Sequence, residues 1–456
     1  LFALGNHECD EEIQQDPGAF LSAINSYASR KGNLPIYLLI DEYDNFTNTI
    51  LATYGTEFYR TTTHGEGFIR GFFNVIKAAA TGNGSALQRM FITGVSPVTM
   101  DDVTSGFNIG TNITIDTLFN SLVGFNEKEL REMLVYYKLH EVFKLSVDDM
   151  LGMMGPFYNH YCFCKSKLAD CVFNPDMVLY FMKSFLLHGE KPNTIVDPNI
   201  CTDFNKLSYL FRLDHGLGEN FSVIKEIAER GEITTDIATH FSALEMTDVC
   251  NFKSLLFYFG LLSIKGVDMV GRPILHVPNL VVREQLFSFL IQGYIKHDIF
   301  KIDMNRMTML FENMAFRGDW KPLFNFIAEA IREQSRIREY IEAEAHIKGF
   351  LLAYLGMYRY YQLYPEYELN KGFADFLFKP SPSVPVMPPL TYLLEVKYAK
   401  AGASEKEIRA LADEAREQLL RYSQDELVAE AKAKGGLKLI TIVWCSWELV
   451  LLEEVL

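Results

Sequence analysis

The chain has 456 residues, 49% of them hydrophobic and 22% charged, which is typical of a globular protein that buries a large core. This length predicts about two to four domains, and the lack of any uncharged apolar run of about 18 residues predicts that no helix spans a membrane. The formal net charge of -15 argues against a protein that coats a polyanion through bulk positive charge. Seven cysteines without a regular framework indicate a reducing, cytoplasmic setting.

Residues 1–135 show the pattern of an α/β unit. The apolar run IYLLI at 36–40 predicts a buried strand, residues 68–80 predict an amphipathic helix, and RMFITGV at 89–95 predicts a second buried strand. Continuous apolar strands that alternate with helices favour a parallel sheet. We therefore predict a parallel α/β sheet in this first region.

Two carboxylates directly follow the first predicted strand, in IYLLIDEYDNF. Apolar residues that end in Asp-Glu form the Walker B pattern, in which Asp41 would hold Mg²⁺ and Glu42 would polarise the water that attacks the γ-phosphate of ATP. Thr93 and Ser96, at the end of the second strand, are candidate sensors of that phosphate. The chain contains no G-x-x-x-x-G-K-[ST] motif. The P-loop ATPase-like sheet is therefore expected to be incomplete, because the motif precedes Leu1 or because this half is degenerate.

Residues 136–330 are predicted to be mainly helical. Residues 252–267 predict an apolar helix that runs into a strand, residues 273–277 predict a second strand, and residues 281–291 predict another helix. Helix, hairpin and helix in this order resemble a winged-helix unit, and the alternative is a helical linker domain with a small hairpin. Basic residues are too sparse in this region to indicate DNA binding by it.

The densest group of cysteines lies in NHYCFCKSKLADC at 159–171. Its spacing, Cys-x-Cys followed after six residues by a third Cys, fits no common zinc site. We therefore interpret Cys162, Cys164 and Cys171 as ordinary thiols.

Residues 331–456 alternate helices and strands around a proline-rich loop, PSPSVPVMPP. In chain order we predict a helix at 332–357, an extended segment at 364–377, the loop at 380–389, a strand at 392–398, a long charged helix at 404–434 and a buried strand at 437–444. The loop can be neither helix nor central strand. The strands on its two sides are therefore expected to form a hairpin.

Alternation along these two strands places charged side chains on shared faces. In GFADFLF, Asp375 shares a face with Phe373 and Leu377. In YLLEVKY, Glu395 and Lys397 share a face, about 6.6–6.8 Å apart along the strand. Two carboxylates can hold a hard divalent cation that acidifies a water, and a lysine whose pKa falls on desolvation can help to deprotonate it. This set suits phosphodiester cleavage, although Glu-x-Lys is also common as a solvated pair.

In GFAD and LLEVKYA the chain resembles the PD-(D/E)xK nuclease superfamily. The resemblance implies a C-terminal restriction-endonuclease-like α/β domain in which Asp375 and Glu395 bind Mg²⁺ or Mn²⁺ and Lys397 acts on the attacking water. Such domains often add a metal-binding Glu from the preceding helix. Glu344 is the candidate for this role, with Glu342 behind it.

Two further groups of residues follow from the same resemblance. Glu368 is an alternative outer carboxylate on the strand before Asp375. The helix after the Glu-x-Lys strand would supply a Gln and a Tyr near the substrate, and Gln418 and Tyr422 lie four residues apart on one helix face. Phe373 departs from the superfamily, which commonly has Arg there, and this change weakens the expected phosphate contact.

The whole chain is similar to bacterial AAA-ATPase-like proteins that end in a PD-(D/E)xK nuclease domain. The similarity runs through LLIDEYDN, FITGVSP, YNHYCF, HVPN, GFADFLFKP and YLLEVKYAK. It implies an ATPase-like core without its P-loop at 1–135, a helical and winged-helix-like region at 136–330, and the nuclease-like domain at 331–456. The P-loop would lie just upstream of Leu1.

The expected function is an ATPase-coupled, metal-dependent nuclease that acts on nucleic acid, first of all DNA. Its cofactors would be Mg²⁺ or Mn²⁺, together with ATP where a P-loop is present. A homo-oligomer is left open, and no membrane partner is expected. The alternatives are a non-catalytic ATPase-like regulatory protein and an inert nuclease fold used for interaction.

Overall fold

A computed structural model describes most of the chain. The described residues are 16–32, 34–65, 67–82, 85–95, 97, 110–188, 192, 219–246, 248–296, 303–333, 344–356, 358, 360–369, 372–381, 384 and 386–455. Within these residues, no helix combines the length and the apolar character that crossing a lipid bilayer requires.

Among its described residues, the N-terminal region combines three helices with two parallel strands. In chain order, these are α1 (Pro17–Arg30), β1 (Ile36–Ile40), α2 (Asn45–Thr63), α3 (Phe68–Thr81) and β2 (Leu87–Ile92). α1 begins at Asp16, whose carboxylate accepts a hydrogen bond from Gly18 N (2.8 Å). α3 packs on α1 and buries Phe73 and Ile76. The predicted helix and the predicted parallel pair are present, but β1 is half-buried rather than buried, because one of its faces exposes Tyr37 and Leu39.

Four α-helices form the next described part of the chain. They are α4 (Glu127–Tyr136), α5 (Leu139–Phe143), α6 (Val147–Tyr158) and α7 (Pro175–His188). α4 and α6 begin with capping boxes at Asn126 and Ser146, which satisfy backbone N–H groups that a helix start leaves unpaired. The apolar faces of α6 and α7 contribute Met154, Phe157 and Phe181 to one buried cluster.

A three-stranded antiparallel sheet with strand order β3–β5–β4 follows. In chain order, this part consists of α8 (Glu219–Arg230), β3 (Glu232–Thr234), α9 (Val249–Tyr258), β4 (Ser263–Val267), β5 (Pro273–His276) and α10 (Leu280–Lys296). Leu275, in the central strand, pairs with Ile233 on one side and Ile264 on the other and is fully buried. The hairpin and its two flanking helices lie where the sequence predicts them, whereas β3 was not predicted.

The C-terminal sheet has five strands in the order β10–β9–β8–β7–β6. These strands are β6 (Tyr361–Leu369), β7 (Gly372–Pro380), β8 (Thr391–Ala399), β9 (Leu437–Cys445) and β10 (Glu448–Val455). β8 and β9 are parallel, and the other neighbours are antiparallel. Because parallel neighbours need a crossover connection, α14 (Glu405–Tyr422) and α15 (Glu426–Ala433) lie between them in the chain. The predicted hairpin across the proline loop is confirmed as β7 and β8.

Several helices precede this sheet, and two predictions in the region are corrected. In chain order they are α11 (Met304–Glu312), a π-helix (Asn313–Arg317), α12 (Lys321–Glu333) and α13 (Glu344–Leu355). The end of α12 and α13 lie within the helix predicted at 332–357, and residues 334–343 of that prediction lie outside the described residues. The extended segment predicted at 364–377 is two paired strands. The single helix predicted at 404–434 is two helices, because Ser423 ends α14 and Asp425 caps α15 by accepting from Leu427 N (2.8 Å).

The five-stranded sheet is packed on both faces. On one face, Phe376 and Leu394 belong to a large cluster that also includes residues of α8 to α13. On the other face, Leu377 and Leu393 meet Leu419 of α14. One hydrophobic core therefore continues from the described part of the middle region into the sheet, and the domain boundary near residue 331 stays a prediction.

Candidate active site

The site begins where strands β7 and β8 separate. Their ladder pairs Phe376 with Leu394, and the next pair in this register is Asp375 with Glu395. At this point, side-chain carboxylates rather than backbone carbonyls accept the hydrogen bonds of the backbone N–H groups. Asp375 Oδ2 accepts from Val396 N (2.7 Å), and Glu395 Oε2 accepts from Asp375 N (3.4 Å). The two carboxylates therefore satisfy buried backbone donors that the ladder no longer serves.

Lys397 joins these carboxylates from β8. Its Nζ lies 3.6 Å from Glu395 Oε1 and 3.2 Å from Oε1 of Glu414 on α14. Alternation along β8 is the reason that Glu395 and Lys397 point the same way. The structure thus brings the three residues of the predicted constellation, Asp375, Glu395 and Lys397, to one place.

The two carboxyl groups are almost completely buried. Asp375 is 4% exposed and Glu395 is 3% exposed. Burial raises the pKa of both carboxyls above the ordinary range, and the charge of Asp375 raises the pKa of Glu395 further. Like charges held close together in a medium of low dielectric constant explain these directions. The site therefore disfavours the ionisation of both carboxyls at once.

The pKa of Lys397 moves opposite to the sequence-based expectation. Burial lowers this pKa, but the charges of Glu395 and Glu414 outweigh burial, and the net shift is upward. The prediction that desolvation lowers the pKa of Lys397 is therefore wrong, because Glu414 was not foreseen as a partner. Lys397 stands in this site as an ammonium cation that can orient a water or a phosphate.

A second lysine, Lys348 of α13, reaches the site. It forms an ion pair with Asp375 Oδ1, and its Nζ lies 2.9 Å from Glu344 Oε1 and 3.2 Å from Glu366 Oε1. The ladder register places Glu366 opposite Asp375 on β6, and its positive φ of 45° is rare for a residue other than glycine. Sequence reasoning missed Lys348, because its only local signal is the i,i+4 spacing from Glu344.

The other predicted residues differ in burial and in hydrogen-bond partners. Gln418 is half-buried on α14, and its Oε1 is buried without a hydrogen-bond partner in the described part of the chain. Tyr422 is buried in the cluster beneath α14, and its hydroxyl accepts from Arg421 Nη2 (3.4 Å). Glu368 is exposed, and Glu342 lies outside the described residues. The substrate-proximal roles of Gln418 and Tyr422 stay predictions.

The donor set allows a test of whether a divalent cation fits. Within the described ranges, no three His, Cys, Asp or Glu side chains are grouped closely enough to form a metal cluster, and Glu344 pairs with Lys348. Mg²⁺ commonly takes one or two carboxylates and completes its shell with water and phosphate oxygens. Asp375 and Glu395 supply those carboxylates side by side, and a divalent cation would favour the ionised form of both, so the residues present fit such an ion.

A second polar group lies at the carboxyl ends of β1 and β2. The hydroxyl of Thr93 donates a hydrogen bond to Asp41 Oδ1. Glu42 adopts a left-handed φ of 51°, and its carboxylate accepts from Asn45 Nδ2 (2.9 Å). Both acidic side chains are exposed, and Ser96 lies outside the described residues. The structure therefore joins Asp41 to Thr93, while Glu42 turns towards α2.

Two family models match the chain. Residues 342–454 match the PD-(D/E)XK nuclease superfamily, and residues 2–104 match a family described as predicted AAA-ATPase. No curated protein and no solved structure gives a significant match. The nuclease match spans the whole five-stranded sheet, including β7 and β8, which carry Asp375, Glu395 and Lys397. The chain thus carries an AAA-ATPase-like N-terminal region and a C-terminal domain of the PD-(D/E)XK nuclease superfamily.

Proposed function

We propose that the C-terminal domain is a metal-dependent nuclease that cleaves phosphodiesters of nucleic acid, with DNA as the first candidate. The convergence of Asp375, Glu395 and Lys397 where β7 and β8 separate carries this proposal. Two carboxylates and an ammonium group close together suit a reaction that develops negative charge on phosphate oxygens.

In this proposal, Asp375 and Glu395 hold Mg²⁺ or Mn²⁺, with Glu344 as an additional predicted ligand. The metal, when bound, acidifies a water and offsets the charge that develops on the phosphate. Val396 N fixes the orientation of Asp375, and Glu414 keeps Lys397 directed at the pair. Lys397 orients the attacking water, while the buried Oε1 of Gln418 offers an acceptor near the same helix face.

Cleavage assays with Mg²⁺ and with Mn²⁺ on single- and double-stranded DNA and RNA test this function. Asp375→Asn and Lys397→Ala should each reduce cleavage, by about 10²–10⁴-fold for the lysine. Asp413→Asn and Lys406→Ala are matched controls, because both replace exposed residues of α14. A wild-type chain that cleaves none of these substrates would instead support the inert interaction fold.

We propose further that the N-terminal region couples ATP hydrolysis to cleavage. Asp41 would hold the nucleotide-bound Mg²⁺, Glu42 would polarise the attacking water, and Thr93 would sense the γ-phosphate. The contact between Asp41 and Thr93 at adjacent strand ends supports this assignment. In the middle region, the order of α9, the β4–β5 hairpin and α10 supports a winged-helix-like unit.

ATP hydrolysis and the ATP dependence of cleavage test the coupling. Glu42→Gln should remove both, whereas Glu57→Gln, which changes an exposed carboxylate on α2, should leave both unchanged. The bond from Asn45 Nδ2 that holds the Glu42 carboxylate (2.9 Å) favours a second candidate, a nucleotide-independent regulatory role for this half. Cleavage by the wild type that is indifferent to ATP would support that candidate.

A further inference from the structure

A pair of thiols lies in the loop between α6 and α7. Tyr161 and Val172 form an isolated antiparallel bridge across the base of this loop. They exchange both backbone hydrogen bonds, Tyr161 N to Val172 O (3.3 Å) and Val172 N to Tyr161 O (2.8 Å). The residues immediately inside the bridge are Cys162 and Cys171, so the loop begins and ends with a thiol.

The register of this bridge favours a covalent link between the two cysteines. Because Tyr161 and Val172 are a hydrogen-bonded pair, the neighbouring pair of an antiparallel ladder is a non-hydrogen-bonded one, whose Cα atoms lie about 4.5 Å apart with close side chains. The backbone agrees, since Cys162 N donates to Ser263 Oγ (2.7 Å) rather than to the opposite strand. Disulfides usually join Cα atoms about 4.4–6.8 Å apart.

The two thiols donate to backbone carbonyls of the loop, Cys162 Sγ to Cys164 O (3.3 Å) and Cys171 Sγ to Leu168 O (3.5 Å). The neighbouring Cys162 thiol lowers the pKa of Cys171 to about 7, while Cys171 and burial raise the pKa of Cys162. Cys162 is fully buried and Cys171 is partly exposed. Cys171 is therefore the thiol that solvent can reach and ionise, and Cys162 lies directly behind it.

The third cysteine of the loop faces other partners. Cys164 Sγ lies 3.1 Å from Ser166 Oγ and 3.3 Å from Thr117 Oγ1. The backbone N–H of Cys164 donates to Asn120 Oδ1 (3.0 Å). Cys162 Sγ also donates to Cys164 O (3.3 Å), but the Cys164 sulfur has hydroxyl partners of its own. Cys164 is therefore the internal control for any statement about the cross-strand pair.

We propose that Cys162 and Cys171 are a redox modification site, which closes to an intramolecular disulfide on reaction with a small-molecule disulfide. The Cys171 thiolate attacks one sulfur of the disulfide RSSR, and a Cys171–SR bond forms as RS⁻ leaves. The Cys162 thiol then gives up its proton and attacks Cys171 Sγ, which releases the second RS⁻. The protein dithiol is oxidised by two electrons, and RSSR is reduced to two RSH.

The position of the pair gives the link a mechanical consequence. Ile264 N of β4 donates to Cys162 O (3.1 Å), so the start of the loop is attached to the three-stranded sheet. Asn120 attaches the far part of the loop, because its Nδ2 donates to Asp170 O (2.8 Å). The disulfide would tie the helical cluster of α6 and α7 to this junction and restrict its opening.

The test uses the full chain equilibrated in mixtures of reduced and oxidised glutathione. After acid quenching and alkylation, chymotryptic cleavage behind Phe163 separates Cys162 from Cys164, and mass spectrometry identifies the linked peptides. We expect a Cys162–Cys171 peptide in the oxidised native chain and its complete loss after reduction. The link should persist in Cys164→Ser and disappear in Cys162→Ser and in Cys171→Ser.

Three outcomes would overturn the proposal. They are oxidised native chain without a Cys162–Cys171 peptide, a predominant Cys164–Cys171 peptide, and a link that forms equally well in urea-unfolded chain. Cys250→Ser and Cys445→Ser change cysteines outside the loop and should leave the yield of the linked peptide unchanged. Retention of the native far-ultraviolet dichroism in each variant shows that a lost link reflects the missing thiol and not unfolding.

Discussion

Glu395 and Asp375 place two acidic groups close together and almost fully buried, so the ionisation of both costs folding free energy. The backbone donors Val396 N and Asp375 N offset part of that cost, and two lysines offset more. Functional sites commonly retain such unfavourable charges, because a cation or a substrate uses them later. These two residues therefore lower the stability of the fold, although they are the ones that we propose to bind the metal ion.

Glu395→Gln should abolish cleavage while it leaves the fold intact or more stable. The carboxyl pKa of Glu395 lies above its ordinary value because of burial and the charge of Asp375, so its ionised form destabilises the folded state. A neutral amide of the same shape removes that repulsion and can keep the bond from Asp375 N. We expect an increase of about 1–4 °C in the thermal midpoint.

Calorimetry without added metal measures this effect. Glu448→Gln is the matched control, because Glu448 is an exposed carboxylate at the start of β10 and should change neither midpoint nor cleavage. A marked fall in the midpoint of Glu395→Gln would show that Glu395 is a structural ion-pair partner.

Lys348→Met should strengthen the binding of Mn²⁺ in the absence of nucleic acid. The Lys348 ammonium group contacts Asp375 Oδ1, so it competes with a divalent cation for that oxygen. Removal of one ion pair of about 1.4 kcal/mol would increase the affinity about tenfold. Paramagnetic resonance of free Mn²⁺ measures the change directly.

The control for this experiment is Lys438→Met. Lys438 pairs with Glu454 at 2.6 Å on the far strands of the same sheet and should not alter Mn²⁺ affinity. Weaker binding by Lys348→Met would show that Lys348 positions Asp375 for the metal instead of competing with it.

At the scale of elements, the hairpin of β4 and β5 depends on a neutral histidine. His276 lies in β5 between Glu232 of β3 and Ser263 of β4. Burial, together with the charges of Lys265, His160 and Arg283, lowers its pKa to about 4, and the charge of Glu232 opposes this shift. The folded sheet therefore excludes the protonated imidazole.

This histidine should make the fold sensitive to acid. The folded pKa of His276 is below its ordinary value of about 6.5, so its contribution to stability is complete above pH 6.5 and is lost as the pH falls towards 4. His276→Gln should reduce the fall of the thermal midpoint over this range. Scanning calorimetry at several pH values measures the slopes, with exposed His188→Gln as control. Parallel slopes for wild type and His276→Gln would contradict this assignment.

At the scale of the whole molecule, one buried cluster joins the middle region to the nuclease sheet. Leu351 of α13, Phe252 of α9 and Val396 of β8 are members of that cluster, each fully buried. Polar contacts reinforce it, since Tyr392 OH donates to Met314 O (2.7 Å). The cluster predicts that these parts unfold together rather than as separate domains.

Leu351→Ala should destabilise both parts at once. Truncation of a fully buried Leu costs about 2–5 kcal/mol, and hydrogen exchange should accelerate both in α9 and in β8. Leu420→Ala, which changes an exposed side chain on α14, is the control. Faster exchange in only one of the two elements would show that the shared core does not couple them.

Much of the candidate site was predictable because its signals are local. Alternation along a strand places Glu395 and Lys397 on one face whatever surrounds them, and an apolar run that ends in Asp-Glu places Asp41 at a strand end. The proline loop predicted the β7–β8 hairpin in the same way. The break between α14 and α15 was not predicted, because the caps at Ser423 and Asp425 interrupt the long periodic pattern for only a few residues.

The sequence by itself determined which side chains share a face, where strands end and which residues could bind a cation, because backbone geometry alone sets these properties. Only the tertiary structure decided that Lys348 reaches Asp375, that Glu414 pairs with Lys397, and that the Tyr161–Val172 bridge places Cys162 opposite Cys171. These contacts join residues whose separation in the chain carries no periodic signal. Packing between elements brings them together, and the loss of water around them then sets their charges.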